Sequence, residues 1–341
     1  HDGRDGGVAG GNHGHVRCIL GSYHLYSNHR VTLLAGGVGG ARMARSFKSV
    51  LEPGLLSIIV NVGDDAERYG VHVSADPDTV LYTLAGVEGP RGWGRADDTT
   101  AAMQELAHLG VDTTFPLGAT DPALSLATTE ALDAGTPLSV VTNHLAAGLG
   151  IDGVEVIPAS DDPVRTFVET TSGEWLAFQE YFVERQHRDT VRSLAFHGAP
   201  SAQPAPGVIE AINHADVVVI APSNPPLSIW PILAIDAVEK AVRSHPNVVA
   251  VSPLFGGAPL KGPADAVMAG VGLSPGTRGV LEAYRGLVSK LYIDEADADD
   301  IALGEEFDVE VVATDTTLTG PHLGRPLTTA ILGSLDEDGS R

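Results

Sequence analysis

The sequence predicts an α/β protein: a parallel sheet with helices on both faces and a mainly helical insertion. Three observations predict it. Short β-rich apolar runs alternate with helix-patterned stretches along the 341 residues, which is the rhythm of repeated βαβ units. The first run, Val31 to Ala35, empties into two glycine pairs and a cation, VTLLAGGVGGAR, before helical pattern resumes. Polar, turn-rich loops follow two of the apolar runs, at the strand ends where open α/β sheets hold their ligands. Together these describe a Rossmann-like architecture.

Residues 1–30 read as an irregular leader, with His1, His13, His15, His24 and His29 scattered among Gly, Asn and Ser. No basic segment precedes a long apolar stretch there, so a secretory signal is not expected. Val31–Ala35 and Leu55–Val60 read as buried strands flanking a helix from about Gly39 to Val50, a βαβ unit with a right-handed crossover. Gly36, Gly37, Gly39 and Gly40 have no Cβ to keep a phosphate off the backbone amides, and the helix start adds its own N–H groups. Arg42 follows as a cation. The spacing is neither GxGxxG nor the Walker GxxxxGK(S/T), so it points to a phosphate-bearing ligand without naming one, or to a tight turn that binds nothing.

Beyond the second strand stands Asn61-Val-Gly-Asp64-Asp65, and eleven residues on stands Asp76-Pro-Asp78-Thr79. Carboxylates beside a phosphate loop suit Mg2+, which takes one or two of them plus phosphate oxygens and waters. The alternative is local: Asp64 opens a turn and Asp76 caps a helix from Asp78 to Leu84. From Asp98 to Ala147 the pattern is helical, with Asp98 as cap to a helix holding Met103, Leu106 and Leu109, and this stretch reads as an insertion or cap over the sheet. Pro158-Ala-Ser160-Asp161-Asp162-Pro163 offers acceptors that would meet guanine N1–H and N2–H2, or forms only a turn. Pro200 to Pro206 reads as the loop that returns the chain to the main sheet.

There Asp216–Ala221, Val248–Val251, Leu287–Ile293 and Val309–Ala313 are strand candidates, and Ala234–Ser244 is a helix with apolar residues at 235, 238 and 242. The loop Ala221-Pro-Ser223-Asn224-Pro-Pro-Leu-Ser228 is stiff and polar, suited to a base or a sugar or simply to a turn. A single domain over 31–335 and an acidic tail over 336–341 complete the chain.

Charge narrows the partners. With 21 Lys and Arg against 44 Asp and Glu, a formal net charge of −23 repels nucleic acid and anionic membrane. An anionic ligand then needs local help from loop amides, a few arginines or a metal. Cys18 is the only cysteine, which excludes an intramolecular disulfide and fits a reducing, cytoplasmic setting. His72, His108, His144, His197 and His322 lack metal-ligand spacing and read as surface or turn residues, while Trp93 reads as loop packing.

In order, the chain carries LAGGVGGAR, NVGDD, SADPDTVLYTLAG, WGRADDT, PASDDPV, FQEYFV, APSNPPLSI, VSPLFGGAPLKGPA and ATDTT. This series resembles the CofD family from about Val31 to Leu335. The resemblance implies a 2-phospho-L-lactate transferase, or a bacterial-type phosphoenolpyruvate transferase, of coenzyme F-420 biosynthesis. Such an enzyme moves the group from a guanosine-diphosphate-linked donor to the deazaflavin Fo and releases GMP. It further implies Mg2+ as cofactor, a homodimer, and small-molecule substrates only.

Carried onto this chain, the resemblance gives Gly36, Gly37, Gly39, Gly40 and Arg42 to the donor phosphates and Ser160, Asp161, Ser223 and Asn224 to the guanosine or the loop holding it. Asp64, Asp65 and Asp76 would serve the metal, and Asp76 with Asp78 the catalytic step.

The departures are as specific as the matches. Where the family has G-D-R-D-x-A-T-H followed by Arg-Thr, this chain has Ala119, Thr120, Ser125 and Thr128 in place of an Asp, an Arg, a His and a second Arg. Charge-assisted bonds to phosphate contribute on the order of 1.5–3 kcal/mol each, so the substrate is held differently or differs itself. Arg42 in its LAGGVGGAR setting leans the donor toward phosphoenolpyruvate. Two other readings stand beside the transferase. One is a nucleotide-sugar-binding regulator of the YvcK-like type; the other is a dinucleotide-dependent oxidoreductase, which lacks the third glycine of its fingerprint.

Overall fold

The computed structural model describes residues 27–118, 122–260, 262–319 and 324–338. Most of the leader, Ala119, Thr120, His322 and the last residues of the acidic tail lie outside them. β1 (Val31–Ala35) runs into α1 (Gly37–Lys48), two residues earlier than the glycine spacing suggests, and then β2 (Leu56–Val60). A small hairpin follows, β3 (Ala66–Arg68) and β4 (Val71–Val73), and then α2 (Ala75–Ala85). Next come α3 (Ala101–His108), α4 (Pro122–Asp133), α5 (Leu138–Gly148) and β5 (Val154–Pro158). β6 (Arg165–Thr170), β7 (Trp175–Ala177) and β8 (Val191–His197) form a separate antiparallel sheet in the order β7-β6-β8. The chain then re-enters the main sheet with β9 (Val217–Ile220), β10 (Val248–Val251), β13 (Lys290–Asp294) and β14 (Glu310–Thr314), with the two-residue strands β11 (Leu254–Phe255) and β12 (Ala258–Pro259) forming a small antiparallel pair of their own between β10 and β13 in the chain.

The main sheet has seven strands in the order β14-β13-β10-β9-β1-β2-β5, every pair parallel. Parallel strands need crossovers, and alternation along each strand feeds two cores. Leu33, Ile58 and Val219 face α1, α2 and the helix Arg325–Asp338. Leu34, Ile59 and Val218 face the opposite layer, where Val238 and Val242 of the helix Asp236–Ser244 pack. The predicted sheet with helices on both faces is therefore present. From β1 the chain winds to β2 and β5, returns beside β1 as β9, and winds the other way. That reversal opens a crevice between the carboxyl ends of β1 and β9, the position at which such sheets take ligands.

Several local expectations need correction. Asp76 is not a cap: α2 begins at Ala75, Ser74 holds the cap position, and Asp76 lies inside the first turn. Asp98 is not a cap either, since Thr100 precedes α3 and the Asp98 carboxylate accepts from Thr99 N–H. Leu109 lies past the end of α3, exposed. Between α2 and β5 the chain runs through α3, α4 and α5, and α5 packs along β5. β5 and the β6–β8 sheet carry no counterpart in the sequence reading. No described helix is long and apolar enough to cross a membrane.

Candidate active site

The site begins with three carboxylates that burial brings together. Asp64, Asp65 and Asp76 are 4%, 4% and 5% exposed. The first two stand in the turn after β2, the third at the start of α2. Asn61 ties them together: its amide donates to Asp76 Oδ2 at 2.9 Å while its own oxygen accepts from Gly63 N–H at 2.8 Å. Asp76 Oδ1 in turn accepts from Gly37 N–H at 2.8 Å, which joins the acid group to the start of α1. Asp64 Oδ1 and Asp65 Oδ1 are buried without a hydrogen-bond partner, while Asp65 Oδ2 meets only His72 Nε2.

Burial sets their protonation. Desolvation pushes all three carboxyls above their ordinary value. Asp76 reaches about 6, held back by the bonds from Asn61 and Gly37. Asp64 is raised by desolvation and then by the nearby Asp76 charge. For Asp65, His72 and Arg165 oppose the desolvation. His72 Nε2 stands 3.3 Å from Asp65 Oδ2, so this histidine is not the surface residue its sequence setting suggests. Its backbone N–H donates to Thr129 Oγ1 at 2.7 Å, which fastens β4 to α4 near the altered Ser125 and Thr128, both buried.

The glycines divide by task. Gly37 has φ +62° and open space where a Cβ would point, so it is the loop position that a ligand can approach. Gly36, Gly39 and Gly40 are small because protein fills the space: a Cβ on Gly36 would sit 2.7 Å from Asp76 Oδ2 and from Ser228 Cβ, one on Gly39 would strike the Pro222 carbonyl, and one on Gly40 would lie 2.9 Å from Ala35 Cβ. Ser223 closes this packing, its hydroxyl donating to Gly36 O at 2.7 Å and accepting from Gly36 N–H at 3.3 Å. Asn224 Oδ1 accepts from Leu227 N–H and caps the turn Pro225–Ile229. The Ala221–Ser228 loop is thus the second wall of the crevice. Arg42 lies half-buried on α1 near Gly92, where a Cβ would stand 3.4 Å from its Nη2. Trp93 carries the Arg91 guanidinium 4.1 Å over its ring.

Other candidates lie apart from this group. Helical periodicity of about 100° per residue turns Asp78 away from Asp76. Ser160 and Asp161 follow β5, two strands or about 10 Å from β1. The Ser160 hydroxyl donates to Gln203 O at 2.5 Å, and Asp161 accepts from Ser139 N–H and Oγ at the start of α5. Sequence reasoning missed His72, Arg165 and Gln179, whose amide donates to Asp64 O at 2.6 Å. The signal for the last two was the alternation of Arg165–Thr170 and the Thr-Ser-Gly turn after it, which mark a hairpin.

The donor set is hard oxygen and buried, with Asp64 Oδ1 and Asp65 Oδ1 unpartnered, which fits Mg2+ chemically. Among the described residues no three carboxylates or imidazoles form a ready cage, and Mg2+ commonly takes part of its shell from substrate phosphates and water.

Comparison with known proteins gives this arrangement its context. A phosphoenolpyruvate transferase of Thermobifida fusca is 39% identical over 307 residues, covering 86% of this chain and 94% of its own. A phosphoenolpyruvate transferase of Streptomyces griseus is 42% identical, covering 79% and 86%. A 2-phospho-L-lactate transferase of Methanopyrus kandleri is 41% identical, covering 85% and 93%. A crystal structure from Bacillus halodurans, a member of the UPF0052 family, superposes with TM-score 0.62 over 90% of this chain and 99% of that one, at 16% identity, and speaks for the fold alone. The family model for 2-phospho-L-lactate transferase CofD matches residues 31–319, spanning the crevice, the acid cluster and both walls. The chain is therefore a member of the CofD family.

Proposed function

We propose that this protein transfers a 2-phospholactyl or phosphoenolpyruvyl group from a guanosine-diphosphate-linked donor to the deazaflavin Fo, releasing GMP, in coenzyme F-420 biosynthesis. The observation that carries the proposal is the buried group Asp64, Asp65 and Asp76 clasped to the Gly37 amide at the sheet reversal. The names of the relatives favour a transferase over the nucleotide-sugar regulator. Cytoplasmic location and a homodimer belong to the same proposal, supported by the lone cysteine and the family resemblance.

The donor's diphosphate would lie over Gly37 and the first-turn amides of α1, whose own first turn carries no acidic residue, although Asp76 Oδ1 already accepts from Gly37 N–H. Asp64 and Asp76 would hold Mg2+, which supplies charge neutralisation for a diphosphate in a chain of net charge −23. Asp65 would face the acceptor. The acceptor hydroxyl oxygen forms a bond to the phosphorus bearing the three-carbon group. The bond from that phosphorus to the GMP oxygen breaks, and the hydroxyl proton passes to a carboxylate of the cluster. Positioning and charge carry such a reaction.

Mass spectrometry after incubation with Fo, Mg2+ and each guanosine-diphosphate donor in turn tests this. A phosphodiester product with GMP, lost in Asp76→Asn, is expected, and the productive donor names the three-carbon group. Absence of product from folded protein that binds GDP would overturn the transferase and favour a nucleotide-binding regulator.

A further inference from the structure

The turn that carries Asp64 and Asp65 is gripped from one side. Each of three successive carbonyls in it accepts a hydrogen bond from the segment that begins with β6. Arg165 Nη1 donates to Val62 O at 3.3 Å, Thr166 N–H to Gly63 O at 2.8 Å, and the Gln179 amide to Asp64 O at 2.6 Å. The first and last of these bonds span 103 and 115 positions of the chain, so they are tertiary contacts and not turn chemistry. The amides of the turn are served locally, Gly63 N–H by Asn61 Oδ1 and Asp65 N–H by Val62 O at 3.3 Å.

The donors are themselves fixed. Arg165 Nη1 also donates to Val164 O at 2.7 Å, which holds the guanidinium along the start of β6. Thr166 is buried, and a Cβ on Gly63 would stand 2.6 Å from its Oγ1, so strand and turn touch with no room between them. Gln179 is buried at the cap position of the π-helical turn Glu180–Glu184. Its neighbours Phe178 and Tyr181 lie in one apolar core with Val168 of β6 and Leu176 of β7.

Such a grip opposes a specific force. Asp64 and Asp65 put two buried carboxyls on adjacent residues, with the Asp76 charge close by, and carboxylates crowded into one site repel one another. Rotation of the peptide planes would let the turn swing these side chains apart. With all three carbonyls engaged, any such rotation breaks a buried hydrogen bond, which is costly.

We infer that Arg165 and Gln179 are positioning residues for the transfer: they touch neither substrate, but through the backbone of Val62 to Asp64 they set where the carboxylates of Asp64 and Asp65 stand. This rests on the transferase reading and deepens it by giving the separate β7-β6-β8 sheet a task in the reaction.

The test is steady-state kinetics of wild type, Gln179→Met, Arg165→Met and Arg165→Lys, with thermal melting, GDP affinity and, by electron paramagnetic resonance, Mn2+ affinity of the GDP-bound protein. Methionine keeps most of the length of either side chain and removes its donors, while lysine restores one donor at 165. In both methionine variants kcat is expected to fall about tenfold or more and Mn2+ to bind about fivefold more weakly, with both KM values and GDP affinity within about twofold. Arg165→Lys is expected to recover most of kcat. A role in packing alone would lower the melting temperature and leave kcat of the folded protein near that of wild type. That result, with Mn2+ affinity unchanged, would overturn the assignment and leave the transferase standing. If Gln179→Met does not fold, the two Arg165 variants decide. If wild type makes no product the transferase falls, and the Mn2+ titration still judges the grip: weaker binding in the methionine variants upholds it, and equal binding overturns it as well.

Discussion

Gly37 and Gly39 are two residues apart and do opposite things, and substitution separates them. Gly37→Ala meets only its own φ of +62°, so it costs about 1–2 kcal/mol of stability and shows most in donor binding. Gly39→Ala drives a methyl into the Pro222 carbonyl and forces the two walls apart, at about 2–3 kcal/mol. Urea melts of both variants, read against GDP affinity, check the order.

Asp76 gives a sharper pair of outcomes. Asp76→Asn removes a buried charge and keeps an oxygen for Gly37 N–H but sets an amide N–H2 against the Asn61 amide, so the two effects offset and the metal-free protein is expected to melt close to wild type at pH 7.5 even as turnover is lost. The same carboxyl gives a pH signature. Its folded value of about 6 exceeds the ordinary 3.8, so between those values the folded chain holds a proton that the unfolded chain has released. Stability of the metal-free protein therefore falls as pH rises through that window, by on the order of 3 kcal/mol. Calorimetry at pH 5 and pH 7.5 checks the sign, and Mg2+ is expected to raise the melting temperature only at the higher pH.

Among the elements, α5 shows what a candidate side chain is occupied with. Asp161 accepts from both the backbone and the hydroxyl of Ser139 at the start of that helix. Asp161→Ala is expected to cost about 1 kcal/mol with GDP affinity within about twofold; a larger loss of affinity would mean that Asp161 touches the nucleoside. Strands such as Val31–Ala35 and Val248–Val251 were legible because buried parallel strands are continuous apolar runs bounded by turns. β5 escaped because VEVIP lies at the sheet edge, half-exposed at its start and ended by a proline. β6 escaped for a different reason: its alternation, with Thr166, Val168 and Thr170 inward, is carried by two threonines that read as polar. The acid cluster was legible as motifs, but His72 was not, since the β3–β4 hairpin that brings it in leaves no local pattern.

Under the proposed reaction, the whole molecule works against its donor. A net charge of −23 sets up a field that repels a diphosphate from every direction, and the site answers it only locally. Raising ionic strength from about 0.01 to 0.15 M shortens the Debye length from about 30 to 8 Å. At saturating Mg2+, kcat/KM for the donor is therefore expected to rise severalfold over that range; a fall would mean that local cations dominate capture.

The bond between Gly36 and Ser223 spans 187 positions of the chain. On a ribosome adding about 5–20 residues per second, β1 and β2 leave the exit tunnel about 10–40 s before the strand that covers β1's other side. Throughout that interval β1 presents an open edge, apolar but for Thr32, the kind that recruits other strands. The reversal that makes the crevice thus makes the newborn chain dependent on whatever shields that edge until β9 arrives.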